Sequence, residues 1–271
     1  MASTLHHVPT RFGRLTFRAE GPEAGAPLLL LQRFRGTLDD WDPEFLARLA
    51  EGRRIIRFDN AGIGASEGEV PTSVDGMAEV ALAFMDAVGL EQADILGWSL
   101  GGFVAQHLAH RAPDRVRRLI IAGSGPGGVA EGPQPHPKVP EVMAHPQNTE
   151  YDFLFLFFTE TEAGRAAGCA HLRRLGAVAD RVPAVTGAAF MAQLRAISGA
   201  SGLRERLGRL GMPVLVANGV ADVMIPAYRS YVIAQEAPDA KLVLYPDAGH
   251  GFLFQHIADF TAEVGRFLAD H

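Results

Sequence analysis

Apolar and polar residues alternate along the chain in blocks of two kinds. Leu28 to Leu31 is an unbroken apolar run, as expected of a strand buried on both faces of a sheet. Pro43 to Ala50 then shows helical spacing, with Phe45, Leu46 and Leu49 on one side. Arg53 to Phe58 reads as the next strand and closes at Asp59. Val74 to Val88 predicts a helix with Met77, Val80, Ala81, Phe84 and Val88 as its apolar stripe and Ser73 as its cap. A strand at Ala93 to Leu96, a helix at Gly101 to His110 ended by Pro113, and a strand at Val116 to Ala122 follow. This alternation calls for a mostly parallel sheet with helices on both faces.

The rhythm stops at Gly125. From there to Pro140 the chain is rich in proline and glycine and reads as an irregular connector. Beyond it the pattern is only helical, over Tyr151 to Thr159, Glu162 to Leu175, Val185 to Ile197 and Leu203 to Arg209. Alternation then resumes, with a strand at Pro213 to Ala217, a helix at Ala227 to Ala237, a strand at Leu242 to Tyr245 and a closing helix at Phe252 to Leu268. The expected architecture is α/β, with a core of residues 1–124 and 209–271 and a helical cap of residues 125–208. A helical insertion placed there predicts a lid over the substrate.

At 271 residues, 48% apolar and 21% charged, the chain can bury a large core. A net charge of −6 without any cluster of lysine and arginine offers nothing to track a phosphate backbone, so no nucleic-acid partner is expected. The single cysteine, Cys169, excludes an internal disulfide and reads as a small buried side chain among alanines and glycine. Met1 to Arg14 lacks an apolar core of signal-peptide length, and Phe153 to Phe158 is too short to span a bilayer. The expectation is a soluble, cytoplasmic protein acting on a small molecule, with no membrane partner. Oligomeric state stays open, a homodimer being one option.

Chemistry enters at Gly97-Trp98-Ser99-Leu100-Gly101, a G-x-S-x-G pentapeptide between the strand at Ala93 and the helix that follows. A sharp strand-to-helix turn strains the serine backbone and holds its hydroxyl out beside helix N-terminal amides, and the glycines remove clashing side chains. Asp222 follows the strand ending near Ala217, and His250 follows the one ending at Tyr245. Ser99, Asp222 and His250 therefore all fall at the carboxyl edge of a parallel sheet, where ligands bind. A serine nucleophile needs a base to take its proton and an acid to orient that base. Asp247 is a competing acid near His250, better suited to fixing its own loop. His107 and His110 have the spacing of a metal pair but no third ligand follows, so no metal is expected. His136, His145 and His171 lie in the connector or cap, within conceivable reach of substrate.

Four segments carry a resemblance: Phe58-Asp59-Asn60-Ala61-Gly62-Ile63-Gly64-Ala65-Ser66, Gly97 to Gly102, Asn218-Gly219-Val220-Ala221-Asp222 and Ala248-Gly249-His250-Gly251-Phe252. Along essentially its whole length the chain is similar to the α/β-hydrolase-fold serine hydrolases, most to their esterase, enol-lactonase and carbon–carbon hydrolase branch. The resemblance implies an oxyanion hole from the backbone amides of Leu100 and Phe34, and no cofactor. Serine at the elbow argues against the haloalkane dehalogenase and epoxide hydrolase branches, which need a carboxylate nucleophile.

One departure stands out. Many members carry His-Gly where this chain has Gln32-Arg33. Either Arg33 and Arg35 pair with Asp39, Asp40, Asp42 or Asp59, or one points inward to hold a substrate carboxylate. Arg33, Trp98, Phe252, Phe155 and Phe158 are the expected substrate contacts, with Phe153, Met143, Phe190 and Met191 offered by the same cap. An apolar pocket of this kind suits a hydrophobic ester or lactone. Two other readings stay open: carbon–carbon hydrolysis or perhydrolysis of a carboxylate-bearing substrate, and a non-catalytic ligand sensor.

Overall fold

The computed structural model describes residues 3–269 except 24, 146 and 201. Met1 and Ala2, the start of the segment read for a leader, lie outside the described residues. The strands are β1 (Leu5–Thr10), β2 (Gly13–Glu20), β3 (Leu28–Leu31), β4 (Ile55–Phe58), β5 (Ala93–Trp98), β6 (Val116–Ala122), β7 (Val214–Gly219) and β8 (Ala240–Tyr245). They form one eight-stranded sheet in the order β1-β2-β4-β3-β5-β6-β7-β8. From β4 to β8 every neighbouring pair is parallel; β1 and β2 are antiparallel additions.

Period-two alternation sends each strand into two cores. Leu29, Leu31, Ile95, Leu119, Ile121, Val214 and Val216 face one core, with helices α2 (Val74–Ala87) and α3 (Leu100–Arg111) packed there. Leu28, Leu30, Leu96, Trp98, Ile120, Leu215 and Ala217 face the other, covered by α1 (Pro43–Ala50). Asp42 caps α1 by accepting from the Glu44 amide at 2.9 Å, and Ser73 caps α2 by accepting from Gly76 at 3.0 Å.

Between β6 and β7 the described residues hold only helices: α4 (Val139–Met143), α5 (Glu150–Phe157), α6 (Glu162–Gly176) and α7 (Gly187–Ser198), then a 3-10 turn at Arg204–Arg209. Charged contacts tie this segment to the loop after β3. Arg181 meets Asp40 at 2.6 Å, and Arg174 meets Asp42 at 2.7 Å. Helix α8 (Ala227–Glu236) joins β7 to β8, and α9 (Phe252–Gln255) and α10 (Ile257–Ala269) end the chain.

Three elements differ from the sequence reading. The β1–β2 hairpin went unread because β1 is a half-exposed, polar edge strand and β2, which lies between β1 and β4, mixes buried and exposed polar residues without an apolar run. Helix α4 straddles the end of the segment read as connector and was not among the helices expected. The closing helix is two helices, bent at His256 (φ −113°, ψ 45°). Phe252, Leu253 and Phe254 in the short α9 are all buried, and a straight continuation into α10 cannot bury a helix on every side. Cys169 is partly exposed rather than buried, with Sγ 3.9 Å from a Glu150 carboxylate oxygen. Among the described residues no helix is long and apolar enough to cross a membrane.

Candidate active site

Ser99 sits between the last residue of β5 and the first of α3, at φ 57° and ψ −117°. An L-residue pays roughly 1–3 kcal/mol for such backbone. The turn is forced because β5 and α3 crowd each other and β3. A Cβ on Gly97 would lie 2.1 Å from the Gly101 carbonyl oxygen, and one on Gly101 would lie 1.9 Å from that of Leu31. The Ser99 amide donates to the Ala122 carbonyl at 2.9 Å, fixing the turn to β6. The Ser99 hydroxyl makes no capping hydrogen bond to α3.

His250 and Asp222 arrive on the loops after β8 and β7. These loops are laced together: the Val220 amide donates to Tyr245 and that of Ala221 to Ala248, both at 2.9 Å. Asn218, given no role of its own in the sequence reading, organises the Asp222 loop by donating to the Ile225 carbonyl at 2.9 Å and accepting from the Gly219 amide at 2.8 Å. His250 Nδ1 lies 2.6 Å from Asp222 Oδ2. Asp222 Oδ1 accepts from the amides of Met224 at 2.8 Å and Ile225 at 2.9 Å. Both partners are deeply buried, His250 at 1% and Asp222 at 5% exposure. Trp98 Nε1 donates to the His250 carbonyl at 3.1 Å. Asp247 is not a rival acid: it accepts from the hydroxyls of Thr159 and Thr161 at the surface.

Ser99 and His250 line one cavity of about 200 Å³ with Arg33, Phe34, Arg35, Met143, Asn148, Phe153, Leu156, Phe157 and Met224. Phe153, Leu156 and Phe157 share one face of α5, three and four residues apart. Phe155 points elsewhere, against His136, and Phe158 packs on His171. Phe252 is fully buried against Tyr245 and Phe260, so neither it nor these two line the cavity. Trp98 is also fully buried, behind the cavity wall beneath Arg33. Helical phase, invisible in an all-aromatic run, decides which rings face inward. Asn148 and Met224 carried no signal in the sequence.

Phe34 follows β3 at the same sheet edge. Its amide has no hydrogen-bond partner among the described residues, and the Leu100 amide opens α3, where the first turn leaves amides unpaired. Gln32 shapes the loop that a glycine would otherwise relax: its side chain donates to the Thr37 carbonyl and accepts from the Arg33 amide, both at 2.9 Å. Arg35 takes the left-handed conformation at φ 58°. Its guanidinium donates to the Met143 carbonyl at 3.2 Å and the His145 carbonyl at 2.9 Å, stitching this loop to the helical segment.

The candidate histidines of that segment are otherwise engaged. His145 lies 3.0 Å from Asp152, and His136 packs on Phe155. His171 Nδ1 is 2.7 Å from Asp42 Oδ2, and its ring stacks on Phe254 at 4.3 Å. Burial, with Arg174 and Arg33 nearby, holds the His171 imidazole below its ordinary value, against the pull of Asp42. The folded protein thus keeps His171 neutral at pH values where the unfolded chain, near 6.5, takes a proton. Stability contributed there is present above pH 6.5 and lost on acidification, by up to about 1.4 kcal/mol per pH unit. Asp59 and Asp94, whose carboxyls burial pushes up, act in the opposite sense. The contribution is therefore isolated by difference: between pH 7 and 5.5 the melting temperature of His171→Gln should fall less than that of wild type. Equal falls would contradict it.

Residues 26–166 match the family model described as alpha/beta hydrolase fold. The 2-hydroxymuconate semialdehyde hydrolase of Pseudomonas sp. (strain CF600) is 30% identical over 91% of this chain and 88% of its own. The pimeloyl-[acyl-carrier protein] methyl ester esterase of Nitrosomonas europaea is 30% identical over 83% of this chain and 89% of its own. An alpha/beta hydrolase fold protein from Chitinophaga pinensis superimposes with a TM-score of 0.90 at 36% identity, covering 100% of this chain and 98% of that one. This chain is a hydrolase of the α/β-hydrolase-fold family.

Proposed function

We propose that the protein is a serine hydrolase that cleaves a small, largely hydrophobic ester or lactone through an acyl-enzyme. Ser99 Oγ attacks the carbonyl carbon as His250 Nε2 takes its proton; the oxyanion forms against the amides of Phe34 and Leu100. The tetrahedral adduct collapses, the C–O bond breaks, and His250 returns the proton to the departing alcohol. Water then repeats the sequence, releasing the acid and restoring Ser99. Asp222 accepts from His250 Nδ1–H throughout and keeps Nε2 free as the base. Residues 125–208 serve as the lid, closing over the core formed by 1–124 and 209–271.

The observation that carries this reading is the shared cavity: Ser99 and the Asp222-paired His250 both open onto it, with Phe34 in its wall. Met143, Phe153, Leu156, Phe157 and Met224 make the rest of its wall mainly apolar. An acyl-enzyme has a kinetic signature. Phenyl and p-nitrophenyl esters of one acid, hydrolysed in dilute methanol, should partition between methanol and water in the same ratio. Different ratios for the two leaving groups would exclude a common intermediate.

A further inference from the structure

Arg33 is a half-buried cation with a buried Nε, and the aspartates of its neighbourhood are mostly engaged elsewhere. Asp39 pairs with Arg18 at 2.9 Å, Asp40 with Arg181 at 2.6 Å, and Asp42 with His171 and Arg174 at 2.7 Å. Asp59 accepts from the Leu38 amide at 2.6 Å through Oδ1; its Oδ2 has no partner, and burial pushes its carboxyl well above the usual range, which weakens it as a counter-charge. Among the described residues no carboxylate pairs with Arg33. Its one side-chain hydrogen bond runs from Nη1 to the Phe34 carbonyl at 2.9 Å, and its buried Nε has no partner. Aromatic rings surround the guanidinium instead, with Phe157 at 5.2 Å, Trp98 at 5.7 Å and Phe153 at 5.8 Å.

Aromatic faces steady a cation without neutralising it. Burial pushes the Arg33 guanidinium below its ordinary value against the more distant pull of Asp40, which is itself paired with Arg181, and arginine still stays charged at neutral pH. A desolvated charge with donors to spare is costly unless something pairs with it. Arg33 lines two cavities, one of about 40 Å³ beside Asp59 and Gln193 and a larger one of about 200 Å³ that it shares with Ser99 and His250, and only the larger has room for a substrate. Arg35 is committed to the Met143 and His145 carbonyls, which leaves Arg33 as the cation available to a ligand.

We propose that Arg33 pairs with a carboxylate carried on the acyl group of the substrate, making short dicarboxylic acid monoesters the preferred substrate class. The proposal rests on the serine hydrolase reading. It turns the Gln32-Arg33 departure into a specificity device: an arginine stands where glycine would leave no charge. Guanidinium–carboxylate pairing is directional and charge-assisted, so neutral esters of equal length should be poorer substrates.

The test compares kcat/KM for monomethyl glutarate and methyl pentanoate, matched in chain length, by methanol release. Wild type should favour the anionic ester by at least about tenfold, and Arg33→Gln should cut that preference by about 10- to 100-fold. Arg33→Lys should recover part of it. A wild-type ratio at or below one, or a ratio that Arg33→Gln leaves unchanged, overturns the proposal. The wild-type ratio needs no variant to fold. If wild type turns over neither ester, their relative power to slow fluorophosphonate capture of Ser99 reads the same preference. Ser99→Ala separates the two layers. Persisting turnover there sinks the serine reading, whereas lost turnover with an Arg33-independent ratio sinks only this inference.

Discussion

Replacing Ser99 by alanine is expected to lower kcat by about four to six orders of magnitude with the fold intact. Only the proposed nucleophile is lost: the Asp222–His250 pair, the two amides and the cavity wall all remain. Residual turnover above the water rate then reflects binding and the oxyanion donors. Stability should barely move, because the Ser99 hydroxyl does not cap α3 and alanine inherits the same strained backbone. The expected melting temperature is within a few degrees of wild type, since a surface-scale change of under about 0.5 kcal/mol shifts it little. A steady-state assay on purified Ser99→Ala, paired with a thermal melt, reads both quantities. Activity within tenfold of wild type would mean that a different group attacks.

Asp222→Asn is expected to cost about 10⁴ in kcat, and the hydrogen bonds give the reason. Asp222 Oδ1 is pinned as the acceptor of the Met224 and Ile225 amides. An asparagine keeps its carbonyl there, so its NH₂ faces His250 Nδ1. Nδ1 must then accept, the imidazole proton moves to Nε2, and His250 can no longer take a proton from Ser99. The loop should survive, because the amides stay satisfied. Asp222→Ala leaves those amides unpaired and should lower stability by about 1–3 kcal/mol in addition. Matched kinetics and melts of the two variants distinguish the lost tautomer from the lost loop. An Asp222→Asn protein with near-normal kcat would contradict this role.

Much of the fold was legible because its cause is local. The apolar run Leu28–Leu31 needs no partner to announce a strand buried on both faces, and the Ala93–Gly102 stretch states its own turn. That Ser99, Asp222 and His250 come to one edge of the sheet was legible too, since strand ends dictate which edge their loops reach. Relations between distant residues were hidden. That Arg33 goes without a carboxylate depends on Arg18, Arg174 and Arg181 reaching Asp39, Asp42 and Asp40 first, contacts that join segments far apart in the chain. Which of Phe153 to Phe158 face the cavity depends on the start of α5 at Glu150, set by the Thr149–Asp152 capping box. The β1–β2 hairpin was missed because strands this polar are made by their pairing partners, not by their own pattern: β1 pairs only with β2, and β2 with β1 and β4.

Intact-mass analysis after exposure to a fluorophosphonate, with Ser99→Ala beside wild type, tests the central claim most directly. An activated Ser99 predicts one covalent adduct per wild-type chain and none on the variant. Adducts of equal extent on both proteins, or none on folded wild type under an excess of reagent, would contradict it.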